Sequence, residues 1–375
     1  MIKIIHTADI HLGKNFGESL GEKGKEYRIQ LLKSLENIIN LAINENASLL
    51  IIAGDLFDSN QVHDIIIRKV SSGFEKLHAK GIAVCILPGT HDPYNDKSIY
   101  RFVNFPPNVS VFTEEHNKET YENLGLTVYG KAFDGKQIGK SPLLGLSVSD
   151  ESKYNIGIAH CSVRIEGLVE KDAMILDKNE IEGSGLDYLA LGHWHSFRDL
   201  SQGNTKAFYS GSPEPISMNQ TGSGNVAMVT IYEKGNIKVE PIHVGTKRFD
   251  QIDIDVGSVR SINDMINTIE AKSDPNLILK VTLSGLSNMD YTYSPKDIEE
   301  DLSRKFFYLR ILDRSHISPE EIKVDEFPEE TVTGRFIRTM KQKIESASDE
   351  EDKWVCEEAL KLGFAILQGN TQVIE

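Results

Sequence analysis

Residues 2–13 have the sequence IKIIHTADIHLG, a short apolar run that leads directly into acidic and imidazole side chains. The run at residues 2–5 has the length of a buried strand and is too short for a helix. Asp9 and His11 are two positions apart, so their side chains point to the same side of an extended turn. This stretch therefore predicts a strand that delivers a metal-chelating pair to the end of a sheet.

The same arrangement recurs four more times. The later apolar runs and their endings are 49–52 before Asp55, 82–87 before Thr90-His91-Asp92, 156–159 before His160, and 188–191 before His193-Trp194-His195. Residues 31–42 and 65–77 have helical spacing between the first three runs, which makes these segments βαβ units. Because ligands of open α/β sheets collect at the carboxyl ends of the strands, we expect all five motifs at one rim. Runs at 126–129, 207–209 and 226–231 are expected to complete a second sheet.

The bulk composition excludes several classes of protein. With 375 residues, 39% hydrophobic and 26% charged, the chain has enough apolar side chains for two or three folded units, which excludes a disordered or fibrous protein. The apolar stretches are far shorter than the roughly 20 residues that cross a bilayer, so no membrane span is expected. The N-terminus lacks the pattern of a signal peptide, and a cytoplasmic location is expected.

Net charge and cysteine content argue against two further classes, DNA-coating proteins and disulfide-bonded proteins. The formal net charge of −15 predicts long-range repulsion from nucleic acid, which argues against a protein that coats DNA. A nuclease that grips DNA locally, or with a partner, is compatible with this charge. Cys85, Cys161 and Cys356 are far apart and odd in number, so we expect reduced thiols rather than disulfides.

The sequence pattern changes twice along the chain. Residues 1–245 hold the five motifs. Residues 246–326 have a βαββ-like pattern, with strands near 252–254, 277–283 and 306–312 and helices near 262–269 and 295–305, and are expected to form a small α/β domain. Residues 327–375 are expected to form two helices, whose apolar positions are Phe336, Ile337, Met340, Ile344, Trp354, Val355, Leu360, Phe364 and Leu367. These helices are either a partner-docking segment or simply pack on the protein's own surface.

The combination of imidazole and carboxylate ligands determines which metals are expected. Such ligands suit Mn²⁺, Fe or Zn²⁺ better than Mg²⁺ or Ca²⁺. Asp55 can bridge two cations, and two ions about 3.5–4 Å apart can clamp a phosphate and activate water. Gly211-Ser212-Pro213 lacks the flanks of a nucleophile elbow, and a phosphate-binding Gly-rich loop with its Lys is not found. The pattern therefore favours metal-assisted hydrolysis over a covalent mechanism.

At this point the sequence resembles a known family. Asp9-x-His11, Gly54-Asp55-x-x-Asp58, Gly89-Thr90-His91-Asp92, His160 and Gly192-His193-x-His195 are similar, in order and approximate spacing, to the motifs of calcineurin-like metallophosphoesterases. Within that superfamily, residues 6–13, 53–58 and 209–214 resemble the Mre11/SbcD-type DNA-repair nucleases. The resemblance is strong for residues 1 to about 245 and extends to the rest only in layout.

The resemblance implies a fold and a set of roles. The fold is a four-layer αββα sandwich with a small α/β capping domain at 246–326 and C-terminal helices at 327–375. One metal would be held by Asp9, His11, Asp55 and His195, and the other by Asp55, Thr90, His160 and His193. His91 would protonate the leaving oxygen, with Asp92 orienting or stabilising it. The implied partners are DNA, a Rad50/SbcC-type coiled-coil ATPase that docks on the C-terminal helices, and a second copy of the chain.

One residue departs from the family pattern. Thr90 stands where the family usually has Asn, whose amide oxygen is a ligand of the second metal. A Thr hydroxyl is shorter, so Thr90 either binds weakly, acts through a water or only shapes the turn. Thr90 therefore affects the expected occupancy of the second metal site.

Three hypotheses of different classes therefore follow from the sequence. The first is a Mn²⁺-dependent DNA exonuclease or endonuclease that acts in repair with an ATPase partner. The second is a small-molecule phosphodiesterase or phosphatase on the same metal site, which the acidic charge favours. The third is a non-catalytic DNA-end-binding subunit, which Thr90 makes conceivable.

Overall fold

The computed structural model describes residues 1–136, 138–148, 152–165, 167, 169, 171–217, 222–287, 294–317, 324 and 327–367. The chain divides into two compact units, Met1–Arg248 and Phe249–Glu375. In the described part, no helix combines the length and apolarity needed to cross a membrane.

The first unit is built mainly from strands. These are β1 Ile2–Thr7, β2 Leu49–Ala53, β3 Ala83–Leu87, β4 Val109–Val111, β5 Lys118–Tyr121, β6 Leu126–Gly130, β7 Tyr154–His160, β8 Ser162–Val163, β9 Ile175–Leu176, β10 Tyr188–Gly192, β11 Arg198–Asp199, β12 Lys206–Tyr209, β13 Asn225–Glu233 and β14 Asn236–His243. The helices are α1 Gly17–Leu20, α2 Lys23–Asn44, α3 Asp64–His78 and α4 Lys178–Glu182, with short 3₁₀ turns at Ile99–Arg101 and Glu122–Leu124.

Twelve of these strands form two six-stranded sheets, and β8 pairs with β9. The first has the order β14-β13-β1-β2-β3-β4 and the second β11-β12-β10-β7-β6-β5. Neighbours from β1 to β4 run parallel, and so do β6, β7, β10 and β12. The antiparallel pairings involve β13 and β14 in the first sheet and the edge strands β5 and β11 in the second. The carboxyl ends of the parallel strands therefore meet along one rim of each sheet.

The two sheets face each other across a shared apolar core. Ile4 and Ile51 of the first sheet lie in the same cluster as Ile156 and Ala190 of the second. Because side chains alternate along a strand, the next residue points to the other face. There α2 and α3 contact β1 and β3, and Ile181 of α4 packs with the outer residues of the second sheet. This order of layers confirms the predicted α/β class and its αββα sandwich.

The second unit contains a smaller sheet and a helical hairpin. Its elements are β15 Arg248–Asp255, α5 Ile262–Glu270, β16 Asp274–Ser284, β17 Leu286–Ser287, α6 Pro295–Leu302, β18 Phe306–Asp313, β19 His316–Ile317, α7 Val332–Glu345 and α8 Glu350–Leu367, with 3₁₀ turns at Val256–Ser258 and Ser303–Lys305. β15, β16 and β18 form one sheet, in which β16 and β18 are parallel. The main elements alternate as βαβαβ, in agreement with the strands and helices expected from the sequence, and α6 provides the crossover that the parallel neighbours β16 and β18 require.

Part of the predicted C-terminal apolar stripe is buried within the hairpin of α7 and α8. Ile337, Leu360 and Phe364 form its core, and Phe336, Met340 and Ile344 pack against them. Trp354, Val355 and Leu367 are instead exposed.

Candidate metal centre

The residues predicted to bind metal all follow strands of the two sheets. Asp9 and His11 lie just after β1, Asp55 just after β2, and Thr90 after β3. His160 ends β7, and His193 and His195 come directly after β10. Two close groups of ligand atoms result: Asp9 with His11 and His195, and Asp9 with Asp55 and His160. In each group the ligand atoms lie within 4.8 Å of one another.

The first group has its imidazoles turned toward the carboxylates. Nε2 of His195 lies 3.6 Å from Oδ1 of Asp9, and Nε2 of His11 lies 3.7 Å from Oδ2 of Asp55. His11 is almost wholly buried, and its Nε2 has no hydrogen-bond partner among the described residues. A buried ring nitrogen without a partner is costly unless something binds it. This donor set therefore fits a divalent cation, with His11, Asp9, His195 and Asp55 around it.

The second group is arranged around Asp55. Oδ2 of Asp55 lies 3.1 Å from Nε2 of His160. The Thr90 hydroxyl is 3.5 Å from each of these two atoms, so its oxygen is beside the second group. The His193 ring lies edge-on to that of His160 with their centroids 5.3 Å apart, and the backbone N–H of His193 donates to both Asp9 oxygens at 2.9 and 3.2 Å. The structure thus brings all seven predicted ligands to one rim.

Hydrogen bonds away from the rim fix the orientation of the ligands. Nδ1 of His11 lies 3.0 Å from Oδ1 of Asp58, which also accepts from Lys14 at 3.2 Å. Nδ1 of His160 lies 2.9 Å from the carbonyl oxygen of Ala53. When each ring is neutral, as a metal ligand must be, the bonded Nδ1 carries the proton and the lone pair is on the Nε2 that faces the carboxylates. These contacts prepare both rings as ligands.

The same contacts set the charges at the centre. Burial raises the pKa of Asp55, but the charge of His160, a hydrogen bond from it and the charge of His11 outweigh burial and hold that pKa below its ordinary value. For His160, burial lowers the pKa, whereas the charge of Asp55 raises it, with a net rise to about 10. Cation binding must therefore displace a proton from His160.

His91 and Asp92 have different surroundings. The His91 side chain is 48% exposed, and its Nδ1 lies 3.3 Å from the backbone oxygen of Asp58 and 3.9 Å from Oδ1 of the same residue. Asp92 is fully buried and accepts from the backbone N–H of Phe57 and of Gly89 and from the Tyr100 hydroxyl, at 3.0, 2.7 and 2.6 Å.

These contacts revise the part expected of Asp92. The backbone oxygen of Asp58 orients the His91 ring, and the carboxylate of Asp92 fastens the turn that carries His91. Burial and then the charge of Asp55 raise the pKa of Asp92, and the hydrogen bonds from Phe57, Tyr100 and Gly89 offset only part of that rise.

The backbone at the ligands is unusual in a way that residue types do not reveal. Asp9, His11, Asp55 and His193 have positive φ angles of 53°, 49°, 52° and 101°. Such angles are uncommon outside glycine and cluster at functional sites. Gly54 precedes Asp55 at φ +91°, and a Cβ there would lie 2.0 Å from Nδ1 of His160. The glycine is therefore required for the close approach of β2 and β7.

Two residues near the ligands had no sign in the sequence. Oδ2 of Asp172 lies 2.9 Å from Nε2 of His193, although Asp172 follows no predicted strand. Tyr209, at the start of the 209–214 motif, donates to the Cys161 carbonyl at 2.7 Å and accepts from the Val163 N–H at 2.9 Å, so it ties down the chain after His160. The run at 207–209 and the motif at 209–214 gave no indication of this hydrogen bonding.

The chain is similar to several known proteins. The calcineurin-like phosphoesterase family model matches residues 2–197. The chain is 23% identical over 280 residues to an uncharacterized metallophosphoesterase YhaO of Bacillus subtilis, covering 72% of this chain and 67% of that protein. It is 25% identical over 305 residues to the DNA double-strand break repair protein Mre11 of Saccharolobus solfataricus, covering 76% of each. Among solved structures, TT1561 of Thermus thermophilus aligns with 65% of this chain and 99% of its own at 14% identity and a TM-score of 0.41.

The family match covers just over half of the 375 residues and contains every predicted ligand. Together with the sandwich and its rim of His and Asp residues, it confirms the family predicted from the motifs. The chain belongs to the calcineurin-like phosphoesterase family.

Proposed function

We propose that the protein is a two-metal phosphodiesterase that cuts DNA, with Mn²⁺ as the favoured ion and Fe or Zn²⁺ as alternatives. The observation that carries the proposal is the pair of overlapping ligand groups, which share Asp9 and meet at Asp55. Two adjacent sites with a common carboxylate suit a substrate whose phosphate spans both ions. When bound, the ions supply Lewis-acid polarisation of the phosphate ester.

The chain's own residues supply the proton transfer. His91 is the exposed imidazole beside the ligand groups, and Asp58 holds its Nδ1 side. Its Nε2 can take up and release a proton, so we assign to His91 the protonation of the leaving oxygen. Asp92 keeps the His91 turn in place through the Phe57 and Gly89 N–H groups.

The choice of DNA as substrate rests on the relatives and on the second unit. The Mre11 relative is named as a DNA double-strand break repair protein, and it aligns with 76% of this chain. We propose that residues 246–326 form the capping domain that contacts DNA. We further propose that residues 327–375 dock a Rad50/SbcC-type coiled-coil ATPase, since α8 exposes Trp354 and Val355, and that the working form is a homodimer.

The acidic charge favours a second candidate. At −15 the chain repels polyanions at long range, which suits a small phosphate ester better than DNA. A small-molecule phosphodiesterase or phosphatase would use the same ligands and the same His91. A non-catalytic DNA-end-binding subunit is the remaining alternative, and it would bind DNA without turnover.

The test compares two substrates in one assay. Single- and double-stranded DNA and bis-p-nitrophenyl phosphate are incubated with and without Mn²⁺, using the wild type, His91→Ala and Thr90→Asn. His78→Ala serves as the matched control, because His78 is an exposed histidine at the end of α3. We expect Mn²⁺-dependent DNA cleavage that falls by about 10²–10⁴-fold in His91→Ala and is unchanged in His78→Ala.

The other outcomes separate the alternatives. Turnover of the small ester alone would replace the nuclease proposal with the small-molecule one. DNA binding without cleavage in both the wild type and Thr90→Asn, also after addition of the ATPase partner, would support the non-catalytic subunit.

A further inference from the structure

His193 has a hydrogen-bond partner that the ligand motifs do not contain. Its Nε2 lies 2.9 Å from Oδ2 of Asp172, which stands before β9 and is about three-quarters buried. The same oxygen accepts from the Ser162 hydroxyl at 2.5 Å, and Ser162 accepts from Nε1 of Trp194 at 3.2 Å. Asp172 is thus held in place by a buried serine of β8 and does not depend on His193 for its position.

This partner determines which His193 nitrogen can bind a cation. A carboxylate can only accept, so Nε2 of His193 carries the proton of the shared hydrogen bond. The lone pair of the neutral ring is then on Nδ1, the only ligand atom that remains. His11 and His160 have the opposite orientation, with Nδ1 bonded away from the rim and Nε2 facing the carboxylates. His193 therefore needs a hydrogen-bond partner at Nε2, whereas His11 and His160 have their partners at Nδ1.

The position of His193 also depends on support from outside its own strand. Its backbone has φ 101°, a conformation that a side-chain-bearing residue adopts only when surrounding contacts impose it. Two contacts are available: the bonds from its N–H to Asp9 at one end, and the bond from its ring to Asp172 at the other. The first fixes the backbone, and the second fixes the ring.

We propose that Asp172, supported by Ser162, is a positioning residue that holds His193 with Nδ1 available to the second metal ion. The inference rests on the two-metal site of the proposed function. We assign His193 to the second ion because its ring lies beside that of His160, whereas His11 and His195 provide the imidazole ligands of the first ion. Thr90 provides that second ion with only a hydroxyl, which makes a well-oriented His193 more important to it.

The experiment measures Mn²⁺ binding by isothermal titration calorimetry, so it does not depend on turnover. Loss of a carboxylate that orients a histidine ligand lowers metal affinity by about 10–100-fold. We expect two ions in the wild type and a loss of this size in Asp172→Ala, confined to the second ion. Lys171→Ala is the matched control, because Lys171 is the exposed neighbour on the same segment. Melting curves without metal verify that each variant is folded.

A second variant separates orientation from charge. Asp172→Asn keeps an oxygen that accepts from Nε2 of His193 but removes the negative charge, so we expect it to retain most of the second-site affinity. Equal losses in Asp172→Asn and Asp172→Ala would overturn the positioning role, because charge alone would explain them. A loss of Mn²⁺ affinity at both sites would overturn the positioning role as well.

Two further outcomes separate this inference from the proposed function. Unchanged binding of both ions in Asp172→Ala would overturn the inference and leave the nuclease proposal standing. Wild-type protein that binds two ions, loses the second in Asp172→Ala, and still cuts no DNA would support the inference while contradicting the nuclease. A wild type that binds a single ion would overturn the inference, because His193 would then have no second ion to hold.

Discussion

The two halves of the metal centre are built differently. The half around His11 takes two of its ligands from one short turn after β1, and both Asp9 and His11 are almost wholly buried. The half around His160 collects its groups from separate segments and includes Thr90, a hydroxyl, and His193, which is partly exposed. The first half thus takes two of its four ligands from one local stretch, with Asp55 and the partly exposed His195 added from distant segments. Each ligand of the second half comes from a different segment. We therefore expect substitutions to affect the second half selectively.

The largest effect is expected from Gly54→Ala. The added Cβ would lie 2.0 Å from Nδ1 of His160, on top of the strain at φ +91°. We expect the free energy of unfolding to fall by about 3 kcal/mol and the second Mn²⁺ to be lost, because His160 must move. Chemical denaturation and calorimetry measure the two quantities.

Gly135→Ala is the matched control for this substitution. Gly135 has a similar φ of +89°, and a Cβ there would have nothing within 4 Å. Only the backbone strain remains, which costs about 1–2 kcal/mol. Equal losses in the two variants would show that the close approach of Gly54 and His160 does not matter.

The next largest effect is expected from loss of the His6–Tyr188 contact between β1 and β10, two of the strands that carry metal ligands. His6 of β1 is fully buried, and its Nδ1 lies 2.7 Å from the Tyr188 hydroxyl of β10. Burial lowers the pKa of His6 from 6.5 to about 3, so the folded protein keeps this ring neutral. The unfolded chain takes up the proton below pH 6.5, and stability is lost as the pH falls from there toward 3.

At pH 5 the loss due to His6 is about 2 kcal/mol, from 1.36 kcal/mol per pH unit. Free energies of unfolding at pH 7.5 and pH 5 should therefore differ by about 2 kcal/mol less in His6→Asn than in the wild type. The same pH dependence in both proteins would mean that His6 is already charged in the folded state.

The smallest effect is expected from a substitution at Thr90 that gives the second Mn²⁺ ion, in the half around His160, a better ligand. Thr90→Asn extends the side chain by one bond and replaces a hydroxyl with an amide oxygen, so the second Mn²⁺ should bind about tenfold more tightly, or ~1.4 kcal/mol. Thr90→Val has the same shape as threonine and removes the oxygen, so it should weaken the same ion. No change in either variant would mean that Thr90 only shapes the turn.

The sequence predicted the residues that follow the parallel strands. Runs such as 49–52 and 188–191 have a length and apolarity typical of buried strands, and the polar residues after them must then lie at one rim. This argument gave the α/β class, and the resemblance of the motifs that follow the strands gave the family; both are confirmed. The strand argument uses only the local pattern of apolar and polar residues, so it succeeds for strands that are buried along their whole length.

What the sequence did not predict depends on contacts between distant segments. Asp172 lies 21 positions from His193 in a stretch without strand periodicity, so no pattern marks it as a partner. Asp9 and Asp55 have positive φ angles, which these residue types alone do not indicate. Asp92 was expected to orient or stabilise His91, and the sequence did not indicate that its carboxylate is bound by the buried Tyr100 and two backbone N–H groups.

The central claim is a two-ion centre divided at Asp55, and the most direct test is anomalous scattering at the manganese edge from crystals grown with Mn²⁺. The account predicts two peaks about 3.5–4 Å apart on opposite sides of the Asp55 carboxylate. One should lie beside Asp9, His11 and His195 and the other beside Thr90, His160 and His193. A single peak, or a peak held by His11, Asp58 and His91, the other cluster of possible ligands at this rim, would contradict it.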